Sequence, residues 1–443
     1  MGETLETMAT FSHKSTFPVD QNSLFNWHTR PGAFERLTPP WVKLLSVKGS
    51  NSIEEGARVK IRVKEGFITT NWSIRHGLYK KGSLFSDILE KGPFCSWHHE
   101  HKFSSKSEDS SSLEDLIEYK PLGGVFAGRA LGGLINSKLK SLFRYRHELL
   151  ALDLERFSDS TPQKILISGG TGLIGRALSS LLKTQGHEVV LLSRTPGEGR
   201  IVWNPQSQEI DPAQLEGFDV VFHLAGEGIM GRWTEAKKKR IYESRILGTR
   251  LLCKTLAGLS KKPKVLVSVS GISAGYGKGF LAEVGAAWEA ETRPASDAGI
   301  RVFIPRVSVV LSPAGGALRS MLPLFKLGLG GRISSGEQHM SWIAMDDLVD
   351  ILYTAVLNES YVGPVDIVAP EVPTNAAFTI ELAQRLHRPA FLPVPGCLLK
   401  LFLGEVAQET ALADIPATSE GLEALGYRFR YPTLREALSH LLP

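Results

Sequence analysis

Cysteine is scarce in this sequence, which has three in 443 residues. They stand far apart, at Cys95, Cys253 and Cys397, so neither a disulfide framework nor a cysteine-based metal motif is indicated. Sparse, unpaired cysteine is typical of a reducing compartment. No apolar run approaches the roughly 18 residues that a membrane-spanning helix needs, and the N-terminus lacks the pattern of a secretory signal. We therefore expect a cytoplasmic protein with no membrane span.

A strong charge imbalance is also missing. The formal net charge is +5, and the basic stretch 237–240 is typical of the solvated face of a helix. Neither feature indicates a nucleic-acid partner. Hydrophobic residues make up 42% of the chain and charged residues 22%, which is an ordinary globular composition. At this length we expect two or three domains.

The chain before residue 158 has the pattern of an antiparallel sheet followed by a helix. In Arg58–Lys64, apolar residues alternate with cations, which predicts a half-buried strand. Apolar residues recur at helical spacing from Leu131 to Leu150. The polar stretch 158–163 contains a proline and indicates a linker. Further strands are predicted at residues 67–79, 83–90, 94–103 and 112–120.

Three histidines in one of these strands suggest a metal site at first sight. On a strand, His99 and His101 would share one face, and His98 would point to the other. A site needs a third ligand on the same face, and the sequence shows none nearby. We therefore predict no metal and interpret these histidines as surface or packing residues.

A glycine-rich turn follows the linker. Lys164–Ser168 is a short apolar run typical of a buried parallel strand, and Gly169–Gly175 comes directly after it and before a helical stretch. In this context the motif predicts a dinucleotide-binding turn. Gly169 permits the tight turn, Gly172 leaves room for the pyrophosphate, and Gly175 lets the helix pack closely. The cofactor contacts predicted in the turn are Gly169, Thr171, Gly172, Leu173, Ile174 and Gly175.

The end of the next strand indicates which nucleotide is bound. About twenty residues past the glycines, NAD enzymes place a carboxylate on the ribose 2′-hydroxyl, whereas this chain has Ser193 and Arg194. A hydroxyl and a guanidinium suit a 2′-phosphate, so we predict NADP(H) as the cofactor. Two more strands, at 218–226 and 264–270, alternate with helical stretches and predict a parallel sheet. The cofactor contacts predicted on these strands are His223, Leu224, Ala225, Gly226 and Ser268.

Five short phrases of the chain point to a known family. They are Gly-Gly-Thr-Gly-Leu-Ile-Gly (169–175), His-Leu-Ala-Gly-Glu (223–227), Phe-Leu-Ala-Glu-Val (280–284), Met-Ser-Trp-Ile (340–343) and Arg-Phe-Arg-Tyr-Pro-Thr-Leu-Arg-Glu-Ala-Leu (428–438). As a set they resemble the YfcH-like epimerase family proteins of the extended short-chain dehydrogenase/reductase superfamily. The resemblance covers residues 163–441. It implies an NADP-binding, Rossmann-type doubly wound parallel sheet with a small substrate lobe over 164–390, and a family-specific C-terminal segment over 391–443.

The region in front resembles a different family. Its order of sheet and then helix, with the phrase Phe25–Phe34, is similar to the helix-grip fold of the START/polyketide-cyclase (SRPBCC) superfamily. The resemblance implies an α+β domain over residues 1–157, with the sheet curled around the helix. It also implies an apolar cavity for a hydrophobic ligand such as a lipid, a quinone or a polyketide. The alternative is a domain used only for packing or interaction.

The catalytic residues are the least regular part of the pattern. The superfamily resemblance implies a Tyr-x-x-x-Lys pair for proton transfer and a serine at the end of a preceding strand. At the corresponding place this chain has Phe280-Leu-Ala-Glu-Val284, so the pair is missing. Ser270 suits the serine position, with Ser268 as the alternative, and Tyr276 is the tyrosine close by. Ser270 and Tyr276 are therefore our candidate catalytic residues.

Polar and aromatic residues late in the chain are candidates for substrate contacts. Arg306 near a strand end could bind an anionic substrate, and Trp342 is the aromatic candidate. His339 could donate a proton, but a hydrogen-bonded structural histidine is the interpretation we favour. The acidic pair Asp346-Asp347 is expected to cap the next helix.

Two functions are compatible with this sequence. The leading prediction is an NADP(H)-dependent oxidoreductase or epimerase/dehydratase-like enzyme acting on a small or apolar compound. The alternative is a catalytically weak, NADP(H)-responsive binding or regulatory protein with a domain for a lipid or other hydrophobic ligand. The missing Tyr-x-x-x-Lys pair favours the alternative, while the glycine turn fits both.

Overall fold

The chain forms two compact units, one built by residues up to Thr161 and the other by most of the chain from Pro162 to Leu442. The computed structural model describes residues 8–122, 124–157 and 161–443, without the side chains of 124–131. Residues 158–160 of the expected linker and the side chain of Leu131 therefore lie outside the described residues. In the described part of the chain, no helix combines the length and apolar character required to cross a bilayer.

The first unit is an antiparallel sheet with a long helix after it. Its described strands are ordered β1-β7-β6-β5-β4-β3-β2. Their bounds are β1 (Ala9–Phe17), β2 (Lys43–Gly49), β3 (Arg58–Glu65), β4 (Ile68–Lys80), β5 (Leu84–Lys91), β6 (Phe94–Ser107) and β7 (Ser110–Pro121). The helices are α1 (Gln21–Thr29), α2 (Ala33–Arg36) and α3 (Gly124–Phe157).

Helix α3 packs against β1 and β7, which are neighbours in this sheet. The ring of Phe143 packs against that of Phe11 in β1, tilted by 39° with 5.5 Å between ring centroids. Nearer the helix end, Leu150 and Leu154 join an apolar cluster with residues of α1 and the strands. Burial of these side chains is the main stabilising contribution to the unit. A buried ion pair adds geometric specificity, because the Arg36 guanidinium bonds both carboxylate oxygens of Asp153, at 2.7 and 2.8 Å.

The second unit is built on a mostly parallel sheet. Its described strand order is β11-β10-β9-β8-β12-β13-β15-β14, with β18 paired to β15; β16 and β17 form a separate parallel pair. Only the β10–β11 pairing in the larger sheet is antiparallel among the described strands. The bounds are β8 (Lys164–Ser168), β9 (Glu188–Ser193), β10 (Arg200–Asn204), β11 (Glu209–Ile210), β12 (Val220–His223), β13 (Val265–Ser268), β14 (Ser270–Gly271), β15 (Arg301–Val307), β16 (Val309–Leu311), β17 (Trp342–Ala344) and β18 (Gly363–Ile367).

Helices follow most of these strands, as the alternating pattern predicts. The strand order reverses beside β8, between β9 on one side and β12 on the other. In open α/β sheets, ligands bind at such a switch point, at the carboxyl ends of the strands. The helices are α4 (Leu173–Thr184), α5 (Glu235–Gly258), α6 (Ser273–Tyr276), α7 (Phe280–Ala290), α8 (Arg293–Asp297), α9 (Gly316–Lys326), α10 (Met345–Leu357), α11 (Asn375–Leu386), α12 (Gly396–Leu403), α13 (Glu405–Glu409), α14 (Glu420–Ala424) and α15 (Leu434–Leu441).

The acidic pair at the start of α10 has a different role from the one expected. The cap residue of α10 is Ala344, without a side-chain hydrogen bond, so Asp346 and Asp347 do not act as its cap. Instead, Asp346 accepts a hydrogen bond from His440 at 2.9 Å. Asp347 accepts one from the backbone N–H of Arg430 at 2.7 Å. Buried carboxylates need such donors. These two hydrogen bonds connect the C-terminal segment to α10.

Candidate functional site

The glycine turn between β8 and α4 is closed by tight backbone packing. Gly169 has φ +73°, in the left-handed region that favours glycine. A Cβ there would stand 2.7 Å from the backbone carbonyl of Leu224. A Cβ on Gly175 would fall on the carbonyl oxygen of Gly169 and 2.6 Å from the Cα of Gly170. The two positions therefore exclude any side chain, and the first turn of α4 lies directly against the end of β8.

The strand ends beside this turn are in register. Ser168 of β8 lies next to His223 of β12, which lies next to Ser268 of β13. The hydroxyl of Ser168 accepts from the backbone N–H of Leu224 at 3.2 Å and lies 2.6 Å from Nδ1 of His223. Nε2 of His223 lies 2.9 Å from the hydroxyl of Thr249, which donates to a carbonyl of α5.

These bonds fix the chemical state of His223. Ser168 donates to Nδ1 and Nε2–H donates to Thr249, so the ring is neutral with its proton on Nε2. Burial lowers the pKa of His223 to about 4. The His223 side chain is fully buried, whereas Leu224 and Ala225 are partly exposed and Gly226 is exposed in the segment that follows.

The end of β9 carries hydroxyl and guanidinium groups. Ser193 lies 3.2 Å from the hydroxyl of Thr195, which accepts from Arg200 at 3.2 Å. Arg194 is exposed beside them and helps Lys237 and Arg240 lower the pKa of Glu227. Arg200 was missed in the sequence because it belongs to the next strand, β10, which the pairing with β9 brings alongside.

A second polar group is assembled by three neighbouring strands. Ser270 of β14 is paired with Arg306 of β15, which is paired with Asp366 of β18. Glu289 of α7 connects them: it accepts from the Ser270 hydroxyl at 2.8 Å and from two nitrogens of Arg306, each at 2.8 Å. Ser270 is buried and its hydroxyl donates to Glu289, so Glu289 fixes the orientation of this hydroxyl. The guanidinium of Arg306 is neutralised by the same carboxylate.

Tyr276 lies at the exposed side of this group. It is 41% exposed, and burial together with its bond to Asp366 raises its pKa, so the phenol is protonated near neutral pH. Burial also raises the pKa of Asp366. Neither Glu289 nor Asp366 was identified from the sequence, because each reaches the group from a different element.

The place of the missing Tyr-x-x-x-Lys pair is apolar. Phe280 packs edge-on against Trp233 at 5.2 Å, and Val284 is buried in the same cluster. The backbone N–H groups of Phe280 and Leu281 donate to the carboxylate of Glu409, at 2.9 and 2.7 Å. A carboxylate at this end of α7 also suits the helix dipole. The start of α7 is thus occupied by packing and capping.

The two remaining substrate candidates have partners of their own. His339 lies in an exposed pair with Asp414, whose carboxylate it meets at 2.9 Å. Trp342 is fully buried in β17, and its indole N–H donates to the carbonyl of Glu371 at 2.7 Å. A buried ring with its N–H satisfied packs the core, so the structure gives Trp342 no accessible surface for a ligand.

Strand β6, which carries the three histidines, has aspartates opposite two of them on the neighbouring strands. His99 and His101 are buried on one face of β6, where Asp87 of β5 and Asp115 of β7 join them. The premise that no third ligand lies on this face is therefore wrong. Although burial acts in the opposite direction, the two carboxylates raise the pKa of His101 to about 9. Burial and the charge on His101 lower the pKa of His99 to about 4.

Two family models match parts of the chain. Residues 165–285 match the NAD dependent epimerase/dehydratase family. Residues 394–441 match a domain of unknown function, DUF1731.

Curated relatives are similar to the greater part of the chain. An epimerase family protein of Mycobacterium bovis is 37% identical over 294 residues, which cover 62% of this chain and 96% of the relative. The human epimerase family protein SDR39U1 is 36% identical over 296 residues, which cover 63% of this chain and 99% of the relative.

Two solved structures extend the comparison. A nucleoside-diphosphate sugar epimerase from Corynebacterium glutamicum has a TM-score of 0.71 and 30% identity, covering 98% of this chain and 96% of its own. Human SDR39U1 with NADPH has a TM-score of 0.57 and 34% identity, covering 63% of this chain and 98% of its own. The first therefore matches both units, and the second matches a part.

Proposed function

This chain belongs to the NAD-dependent epimerase/dehydratase family, and from that premise we propose that it is an NADP(H)-dependent oxidoreductase or epimerase of a small or apolar carbonyl or hydroxyl compound. The observation that carries the proposal is the glycine turn, where Gly169 and Gly175 leave no room for a Cβ. A turn of this shape at a strand-order reversal brings backbone N–H groups to a pyrophosphate.

The proposed nucleotide contacts follow the strand ends. The turn residues Gly169–Gly175 would hold the pyrophosphate, and the backbone of residues 223–226, with Ser268, would border the nicotinamide half. Ser193 and Arg194, joined by Arg200, would hold the 2′-phosphate, because guanidinium groups bind phosphate through charge-assisted hydrogen bonds. The human relative, whose structure contains NADPH, supports this choice of nucleotide. NADP(H) would supply the hydride.

The proposed proton transfer uses Tyr276. Its phenol is accessible, protonated at neutral pH and adjacent to Asp366. Ser270 would act with Glu289 to hold Arg306, and the guanidinium would orient an oxygen of the substrate. His339 would contact a substrate only at the exposed surface. We propose the YfcH-like subgroup on the five sequence phrases given above.

We also propose that the first unit is a helix-grip domain of the START/polyketide-cyclase (SRPBCC) type. Its support is the antiparallel sheet with α3 packed on the outer pair β1 and β7. A hydrophobic ligand held there would meet a polar end, because Asp115 and the buried histidines lie on the same face as the apolar clusters.

A second candidate function rests on the start of α7. Phe280 and Val284 can neither give a proton nor hold a ribose, and both are packed into an apolar cluster. This observation favours an NADP(H)-responsive binding or regulatory protein with little catalytic activity. Consumption of NADPH with a panel of carbonyl compounds separates the two functions. Turnover that is lost in Tyr276→Phe supports the enzyme, and tight binding without turnover supports the regulatory protein.

The cofactor proposal is tested by titrating the purified chain with NADPH and NADH and following nicotinamide fluorescence. Arg194→Ala should weaken NADPH binding by about tenfold or more, the worth of one charge-assisted bond, and leave NADH binding unchanged. Arg435→Ala is the matched control, because Arg435 is an exposed arginine paired with Glu381.

Two results would contradict the proposal. Failure of the wild-type chain to bind either nucleotide would exclude a cofactor site at the glycine turn. A preference for NADH, or an unchanged NADPH affinity in Arg194→Ala, would leave the turn as a nucleotide site and reject the assignment of the 2′-phosphate.

A further inference from the structure

The first unit contains a compact group of buried nitrogen and oxygen donors. Its centre consists of Asp87, His99 and His101, one ligand atom from each lying within 4.8 Å of the others. His99 and His101 are buried, and the Asp87 side chain is 19% exposed, so the group is enclosed on most sides but not sealed. Burying so many polar groups is costly unless they are hydrogen-bonded, paired with opposite charges or bound to a metal ion.

Strand register brings these donors together. Asp87 of β5 is directly opposite His99 of β6, and His101 of β6 is directly opposite Asp115 of β7. All four positions fall on one face, because side chains two residues apart on a strand point the same way. The arrangement depends on pairing between three strands, which explains why the histidines alone indicated no site.

One atom of each of Asp87, His99 and His101 faces the other two, and the spacings of these three inner atoms suit one metal ion. Oδ2 of Asp87 lies 3.5 Å from Nε2 of His101 and 3.9 Å from Nδ1 of His99. Donors about 2.0–2.1 Å from a tetrahedral ion stand about 3.4 Å apart. The third pair, Nε2 of His101 and Nδ1 of His99, lies within 4.8 Å, so binding of one ion would draw the three atoms closer together.

The other ring nitrogen of each histidine contacts a carboxylate, that of Asp115, as is common in metal sites. Asp115 accepts a hydrogen bond from Nε2 of His99 at 2.8 Å, and the same oxygen lies 2.7 Å from Nδ1 of His101. Its other oxygen accepts from His147 of α3 at 2.6 Å. Metal-binding histidines commonly have such a carboxylate behind them, which fixes the tautomer and turns the other nitrogen to the ion.

A network satisfied by its own hydrogen bonds would look different. Nδ1 of His101 and Oδ1 of Asp87 are buried without a hydrogen bond of good geometry, although each has a polar neighbour at 2.7 Å, Asp115 for the first and His76 for the second. The contact with Asp115 lies on the Nδ1 side of His101, which leaves Nε2 on the side of Asp87. These atoms are positioned by strand geometry and leave the inner donors facing one another.

We propose that Asp87, His99 and His101 bind one divalent transition-metal ion of the Zn²⁺ type, with Asp115 as the outer carboxylate that orients both histidines. Two imidazole nitrogens and one carboxylate oxygen suit Zn²⁺, Co²⁺ or Fe²⁺ and are poor ligands for Mg²⁺, which prefers oxygen. The site belongs to the first unit and does not depend on the proposed function of the second.

The experiment uses the full chain without a histidine tag, stripped with a chelator and titrated with Zn²⁺ by calorimetry and with Co²⁺ by visible absorption. We expect one ion per chain, the strong visible bands of four-coordinate Co²⁺, and a higher melting temperature with Zn²⁺ that a chelator reverses. Mg²⁺ should leave the melting temperature unchanged.

Variants locate the ion. His101→Gln and Asp87→Asn should lose the Co²⁺ bands, and Asp115→Asn should weaken Zn²⁺ binding 10- to 100-fold. His98→Gln, on the opposite face of the same strand, is the matched control and should bind like the wild type. Wild-type protein that shows neither Co²⁺ bands nor a Zn²⁺-dependent melting temperature overturns the proposal, whatever the variants do. Bands that persist in a folded His101→Gln overturn it as well.

Discussion

His223 shows how one buried residue can make stability depend on pH. Its neutral ring bridges the hydroxyls of Ser168 and Thr249 at the sheet edge where we propose the nucleotide binds. Protonation would add a hydrogen to Nδ1, where the Ser168 hydroxyl now donates. The folded chain therefore resists a proton that the unfolded chain accepts freely.

The expected consequence is a loss of stability as the pH falls. Below pH 6.5 the unfolded histidine gains a proton, whereas the folded one remains neutral until about pH 4. The free energy of unfolding should fall across this window by about 3 kcal/mol from this group, at about 1.4 kcal/mol per pKa unit. His223→Gln should lose less stability than the wild type between pH 7 and 4 in urea unfolding. Parallel curves for the two proteins would show that the histidine is not responsible.

At the scale of elements, the position of helix α4 depends on its close backbone packing against the glycine turn. Gly175→Ala places a methyl group on the Gly169 carbonyl, so the helix must move away from the strand. We expect the variant to lose about 1–3 kcal/mol of stability and to bind NADPH at least tenfold more weakly. Gly258→Ala, at the end of α5, is the control because nothing lies within 4 Å of its added Cβ. Equal melting temperatures and affinities for the two variants would contradict the close packing.

The sequence predicted elements whose signal is local. The alternation in Arg58–Lys64 corresponds to β3, and the run Lys164–Ser168 is β8 with the same bounds. β1 was missed because its inward apolar residues are not continuous: His13 and Ser15 stand between Phe11 and Phe17.

The missing parts of the candidate sites are all non-local. Glu289 is 17 residues from Arg306 and 19 from Ser270, on a helix between their strands. Asp366 reaches the same group through the pairing of β18 with β15, and Asp87 meets His99 only through the register of β5 and β6. A single sequence does not specify which strands become neighbours, so these carboxylates could not be assigned beforehand.

At the scale of the whole second unit, the C-terminal segment is part of the core. Arg430 donates to Asp350 at 2.9 Å, and both side chains are fully buried. The hydroxyl of Tyr427 lies 3.0 Å from the same carboxylate. The segment matched by the family model of unknown function therefore completes the environment of α10 and is not an appendage.

Arg430→Met tests whether the buried pair between the C-terminal segment and α10 stabilises the second unit. Removing the guanidinium breaks the buried pair with Asp350, and loss of one member of a buried ion pair should destabilise the unit by about 3–5 kcal/mol. Arg435→Met removes an arginine from an exposed pair, with a side chain 76% exposed, and should change little. Urea unfolding of both variants, followed by tryptophan fluorescence, measures the difference. Comparable stabilities would mean that the buried pair contributes nothing specific.

The strand order of the first unit also determines when it can form during synthesis. Of the described strands of this unit, β1 is made first, yet it pairs along its whole length with β7, which is made last. Closing so long a loop is slow, because its entropy is lost before the contacts form. Phe11 and Phe17 therefore stay without their sheet partners until residue 121 has been made. A ribosome that stalls before that point holds a chain with an unpaired apolar strand, which is a template for aggregation.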